Sequence, residues 1–367
     1  MTHLSPSPLP SELTSIHHLP LELLENIFSY ACTDGGHTGR SLSLVSRYFL
    51  DVVRPIRYGS VALTSLRQTK LFLTCLKRER ARTTVRVRHL FVSTWRDGQE
   101  VARVRDGRMP RCNVVRADGS DILVNRPQWC VWMSFQKIMD TELSQLLPSV
   151  LKAAADDLAT LSIVHSWEFS AIQLPAKLPA LREFTFCGPP PTFPGGCVRL
   201  CPPPPPCFPA LRHLHVVCSN VSIELWVHHS PSMTHLRLSD LSCASSTVVD
   251  ELWRGLSFVF GCTIAQTQRP LLFTCVRFQP STFQYNTSVC HLKNFQPHPS
   301  IRVEVMRDRC RSNGHWEARI RRDWDEGLGS GPTWWIGSEE LEEAEDESDS
   351  DSEGGDPGEL RGFAHWM

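Results

Sequence analysis

The amino-acid sequence predicts an α/β protein in three parts: a helical N-terminal segment, a solenoid of strand-bearing repeats stacked into a parallel sheet, and a disordered acidic C-terminal tail. Three observations predict it. Apolar residues recur at helical spacing in two short segments before residue 58. The outline L-x-x-L-x-L returns four times between residues 157 and 238. Residues 339–359 hold 12 Asp and Glu and no Lys or Arg.

A length of 367 residues suits two or three domains and a sizeable core. With 41% apolar and 21% charged residues the composition is that of a folded chain. No apolar run reaches the roughly 18–20 residues that a membrane span needs. The start, MTHLSPSPLPSELTS, has neither a basic cluster nor an apolar run, so no secretory signal is expected. The 14 cysteines are scattered and read as reduced thiols of a cytosolic or nuclear protein. The sequons at Asn220 and Asn286 are then idle.

Residues 1–15, rich in Ser and Pro, are expected to be disordered. Residues 16–58 carry the two helices. In the first, Pro20 suits the first helical position and Glu22 the positive end of the dipole. Leu23, Leu24, Ile27, Phe28 and Ala31 make its apolar stripe. The loop TDGGHTG (33–39) breaks it. Thr38 or Ser41 is placed to cap the second helix, whose stripe is Leu42, Val45, Phe49, Val52 and Val53.

Residues 59–310 change style. SVALTS (60–65) and the alternating VRVRHLFVS (85–93) read as strands, with a helix from Leu66 to Arg80 between them that buries Leu66, Leu73 and Leu76. Residues 94–126 read as a polar loop, and 134–155 as a helix broken near Pro148. DLATLSIV (157–164), PALREFTF (179–186), PALRHLHV (209–216) and PSMTHLRL (231–238) share the repeat outline. Their leading positions, Leu158, Leu181, Leu211 and Met233, are 23, 30 and 22 residues apart, and a proline-rich insertion (loop 188–207) accounts for the longer step. Twenty to thirty residues is the leucine-rich repeat period. Each unit supplies one short strand that cannot bury its inward residues alone, so neighbours stack into a parallel sheet. LLFTCVRF (271–278) and IRVEVMRD (301–308) read as later strands. Residues 311–338 include four tryptophans, Trp316, Trp324, Trp334 and Trp335, and are expected to cap the open solenoid end. In the disordered tail (339–367), Ser348 and Ser350 precede Asp351 and Glu353 by three residues, the spacing of acidophilic kinase sites.

Without the acidic run the chain has 27 acidic and 38 basic residues, about +11. Residues 77–111 alone carry eleven Lys and Arg against four acids. No stacking aromatics or nucleic-acid module accompany this charge, so it reads as a solvated face and nucleic acid is not the expected partner.

Two helices with more apolar surface than they can bury on each other need a partner. LPLELLENIFSYA followed by LSLVSRYFLDVVRPIRY resembles the F-box, and F-box plus degenerate leucine-rich repeats plus a tryptophan-bearing C-terminal segment is similar to the F-box-like proteins of mushroom-forming fungi. The resemblance implies docking on a Skp-type adaptor and, through it, on a cullin–RING ubiquitin ligase. Leu19, Pro20, Leu23, Ile27 and Phe28 match the first-helix positions of that interface, and Leu42, Leu44, Val45 and Phe49 the second-helix positions. Arg47 and Glu22 would steer at the rim. The chain departs from the family in its glycine-rich TDGGHTG loop and in Ser46, which stands at a frequent cysteine.

There is no G-x-x-x-x-G-K-S/T, G-x-G-x-x-G, G-x-S-x-G, H-E-x-x-H or C-x-x-C. Cys197, Cys201 and Cys207 lack matching histidines, and His213 and His215 fall on one face of a strand. No catalytic residue, metal or cofactor is nominated. The expected function is a non-enzymatic, substrate-recruiting adaptor for an unknown target protein, its specificity on the exposed strand positions and in loops 94–126 and 188–207. The alternative is a repeat scaffold unconnected to ubiquitin, with the front helices as an N-terminal cap.

Overall fold

A computed structural model describes residues 16, 19–81, 85–93, 126–165, 171–175, 177–194, 205–217, 223–241, 275–280, 302–305 and 316–330. The expectations for residues 1–15, 94–125 and 339–367, Ser348 and Ser350 among them, lie outside the described residues.

Three short helices come first: α1 (Leu21–Ala31), α2 (His37–Val45) and α3 (Arg47–Val53). The stripe from Leu42 to Val53, expected as one helix, is two. Ser46 is extended (φ −159°, ψ 164°), and its Oγ accepts from the Phe49 N–H at 3.1 Å. A serine that can cap a new helix competes with continuing the old one. The expected caps of α2 also differ. Asp34, rather than Thr38 or Ser41, does the work: its carboxylate accepts from Thr38 N–H at 2.8 Å and from Thr38 Oγ–H at 2.6 Å.

Next come β1 (Ser60–Leu63), α4 (Leu66–Arg80), β2 (His89–Ser93), α5 (Arg126–Ala154), β3 (Thr160–Val164), β4 (Glu183–Cys187), β5 (His213–Val217), α6 (Ile223–His229), β6 (His235–Leu241), β7 (Cys275–Pro280), β8 (Arg302–Val305) and α7 (Trp316–Ser330). The eight described strands form one open, wholly parallel sheet whose spatial order is the chain order.

The four L-x-x-L-x-L outlines become β3 to β6, in register through Leu161, Phe184, Leu214 and Leu236. β2 joins through Leu90 and β1 through Val61. The proline that opens three of the outlines has a local cause. The N–H of Leu181, Leu211 and Met233 donates to the carbonyl of Leu178, Phe208 and Ser230 at 3.3, 3.2 and 3.1 Å. Pro179, Pro209 and Pro231 therefore stand second in a four-residue turn, where their fixed φ is favoured. Each turn then feeds a repeated splice. Two successive N–H groups donate to one carbonyl of the preceding unit: Arg182 and Glu183 to Ala159, Arg212 and His213 to Arg182, Thr234 and His235 to Arg212.

Side chains alternate along a strand, so the sheet has two faces. The first carries Leu90, Val92, Leu161, Ile163, Phe184, Phe186, Leu214, Val216, Leu236 and Leu238. It packs on Leu66, Phe72, Leu73 and Leu76 of α4 and on Leu143, Leu147, Val150, Leu151 and Ala154 of α5. Burial of Leu143 and Leu147 before Pro148 and of Val150, Leu151 and Ala154 after it outweighs the ~3 kcal/mol that an internal proline costs, and α5 continues through Pro148 instead of breaking. It also begins at Arg126, earlier than the expected 134.

The proline-rich insertion is partly internal. The Thr192 N–H donates to the Ile172 carbonyl at 2.9 Å, and Phe193 is buried against Phe208, Trp226 and His229. Residues 195–204 lie outside the described residues.

The second face is covered by α7, which crosses β2 and β3. Ile320 and Trp324, four residues apart on one helix face, pack on Phe91, Val164, Cys187 and Val217. The tryptophan-bearing segment was expected at the solenoid's end; it lies on the sheet instead. Cys187 and the β-branched Val164 and Val217 leave room for an indole there, and an open strand edge offers no such apolar seat. Trp334 and Trp335 lie outside the described residues.

Candidate protein-interaction surface

Helices α1 to α3 make a small bundle with its own core. Leu24, Phe28 and Cys32 of the α1 region meet Phe49, Val52 and Val53, with Leu42 and Ile56 packed at the side. Phe28 and Phe49 meet edge to face at 5.2 Å between centroids, a favoured aromatic geometry. The sequence placed these two phenyl rings on the docking face. They are inside, and they hold α1 to α3.

The other matched residues are outside. On α1 and its approach, Leu19, Leu23 and Ile27 recur every four residues, which puts them on one face. Leu23 is 50% exposed and Ile27 48%. On the second element Leu44 is 79% exposed and Val45 62%, with Tyr48 also exposed beyond the Ser46 break. Leu21 and Tyr30, not nominated from the sequence, are exposed as well. Tyr30, three residues after Ile27 and seven after Leu23, falls on their helix face, which was the available signal for it. Pro20, Glu22 and Arg47 are exposed, and Leu42 is half-buried against the core.

The glycine-rich loop between α1 and α2 has a definite use. The Gly35 carbonyl accepts from Ala62 N–H at 3.2 Å, and its N–H donates to Ser60 Oγ at 3.3 Å. The loop thereby satisfies groups on the β1 edge, which would otherwise be an open template for pairing. Gly35 has φ 73°, and a Cβ there would lie 3.0 Å from Ala62 Cβ and 2.8 Å from an Arg321 guanidinium nitrogen. Gly36 has φ 99°. Only glycine takes these two conformations at so close an approach without strain. Gly39 fits against the Arg57 backbone, where a Cβ would stand 3.0 Å from Arg57 Cα. Arg57 in turn reaches Glu79 of α4 at 3.2 Å, a second joint between bundle and sheet.

The remaining sequence candidates do not converge on chemistry. Burial pushes the Cys32 thiol up to about 11, with Asp34 adding to the shift, and burial alone pushes Cys207 up to about 11. Both are poor nucleophiles at neutral pH. Cys197 and Cys201 lie outside the described residues. His213 and His215 do share a strand face, but they make separate contacts. His215 Nε2 pairs with Ser239 Oγ at 2.9 Å, and the His213 ring lies beside that of His235, centroids 4.8 Å apart and planes tilted by 52°. Among the described residues no three His, Cys, Asp or Glu side chains come together as a metal site. No helix among them is long and apolar enough to cross a membrane. No family model matches the chain, and neither a curated protein nor a solved structure matches it.

Proposed function

We propose that the chain is a substrate-recruiting adaptor of an SCF-type ubiquitin ligase. On this reading residues 16–58 are an F-box that docks on a Skp-type adaptor, and a leucine-rich-repeat-like solenoid presents a target protein. The observation that carries it is the outward apolar set Leu19, Leu23, Ile27, Leu44, Val45 and Tyr48 on a bundle whose core is already complete. Such side chains supply burial of ~25 cal/mol per Å² once a partner covers them. Arg47 and Glu22 sit where they can select orientation. The turn repeated before β4, β5 and β6, and the splice and register shared by β3 to β6, support the repeat reading of the sheet.

The test is capture by a purified Skp-type adaptor. Wild type is expected to bind, and Leu23→Asp with Ile27→Asp to lose binding while remaining folded. Equal capture by the two would remove the F-box from the proposal.

One observation favours the scaffold alternative in part: Gly35 and Arg57 tie the bundle to β1 and α4, as a cap would. Deleting residues 1–58 is therefore expected to expose β1 and lower solubility. A bundle that only caps predicts that effect together with no adaptor binding by the full chain.

A further inference from the structure

The two faces of the sheet differ in a way that packing alone does not require. The first is an aliphatic and aromatic ladder. The second has a column in register that runs Phe91, Ser162, Thr185, His215, Arg237, Arg277. Arg237 is only 4% exposed. Burying a guanidinium is costly unless a partner of opposite charge meets it. Helix α7 brings Asp323, whose Oδ2 lies 3.9 Å from Arg237 Nη1 and accepts no hydrogen bond among the described residues. The next residue, Trp324, sets its indole 5.7 Å from the Phe91 ring, and the Arg321 guanidinium lies over both rings at 5.1 and 4.9 Å. The indole Nε1–H is buried without a hydrogen-bond partner among the described residues.

α7 thus matches the face in kind, acid to arginine and indole to phenyl, but two of its buried polar atoms find no hydrogen-bond partner among the described residues. Each such atom weakens the hold. Gly327 and Gly329 lower the helix's own stability further. A cleft remains between α7 and the sheet, lined by Ser162, Glu183, Thr185, Asp323 and Leu328.

We infer that this second face is the target-binding face, that α7 is its resident internal ligand, and that the target is a helix presenting a carboxylate followed by an aromatic ring, which takes the same seat by displacing α7. The inference rests on the reading of the sheet as an adaptor's recognition surface.

The experiment uses the full chain and a fluorescein-labelled peptide of residues 315–331 as the probe. In wild type the tethered helix acts at an effective concentration of about millimolar, so the peptide binds weakly. Trp324→Ala vacates the seat, and peptide affinity rises about tenfold or more as that competitor is lost. Adding Arg237→Glu abolishes the gain, and a peptide carrying Asp323→Arg restores it. Equal weak binding to wild type and Trp324→Ala overturns the inference, as does binding that Arg237→Glu leaves unchanged. If circular dichroism shows that Trp324→Ala unfolds the sheet, α7 is a structural element and the inference is overturned too. Adaptor capture measured on the same samples reports on the F-box separately. Its loss with peptide binding intact would count against the ligase reading and leave the binding face standing.

Discussion

Leu23 and Leu24 are neighbours on α1 with opposite environments, and substituting each separates folding from docking. Leu24 is fully buried in a core of six residues. Leu24→Ala removes about three methylene equivalents from a site with little room to collapse, at a cost of about 2–5 kcal/mol. Leu23 is half exposed, and an exposed substitution there is expected to change stability by less than about 1 kcal/mol. Docking reverses the order. Full burial of a Leu or Ile stabilises by about 1.5–3 kcal/mol, and the exposed half of Leu23 and Ile27 still to be covered amounts to about 2 kcal/mol for the pair. Two carboxylates pressed on an apolar partner add about 1–3 kcal/mol each. The sum, about 4–8 kcal/mol, corresponds to a loss of about a thousandfold or more in affinity. Thermal unfolding followed by circular dichroism reads the first effect, and titration with a Skp-type adaptor reads the second. A melting temperature that drops as far for Leu23→Asp as for Leu24→Ala would refute the reasoning, because it would mean that the Leu23 face is already covered within the chain.

Three further outcomes are expected. Gly35→Ala forces a left-handed backbone and a contact with Ala62 Cβ, and destabilises by about 1–3 kcal/mol in denaturant titration. Ser46→Ala removes the α3 cap at a cost of about 1 kcal/mol, measured the same way. His229 is stacked on Phe193 at 4.6 Å, and burial, with His228 beside it, holds its pKa down to about 4 against an ordinary 6.5. The unfolded chain then binds the extra proton between those values. Its contribution is complete above pH 6.5 and is lost as the pH falls toward about 4. His229→Phe keeps the stack and is expected to flatten the acid limb of a stability–pH profile; an unchanged limb would assign that slope to other groups.

How much of this was legible in the sequence follows from the range of the forces involved. Helical stripes, prolines in turns and an L-x-x-L-x-L outline express spacing along the chain, and spacing alone predicts α1, α4 and the strands β1 to β6. The proline before each strand is a local steric device that works wherever the turn is placed. Ser46 is equally local, yet a hydroxyl that caps one helix or rides inside another looks the same until the backbone chooses. Other features needed three dimensions. Phe28 and Leu23 stand on one apolar stripe, and only the arrival of α3 decided that the phenyl ring goes in and the leucine stays out. Pro148 reads as a stop, and the burial of Leu143, Leu147 and Leu151 overrode it. Gly35 reads as a breaker, and a strand edge that it reaches across 25 residues gave it a partner. The seat of Trp324 on the second face depended on residues from four strands, Phe91, Val164, Cys187 and Val217, coming into one plane. Residue patterns determine which elements exist, because propensity and periodicity act within a few positions. Tertiary contact determines which side of each element faces water, because burial is a property of the assembled surface.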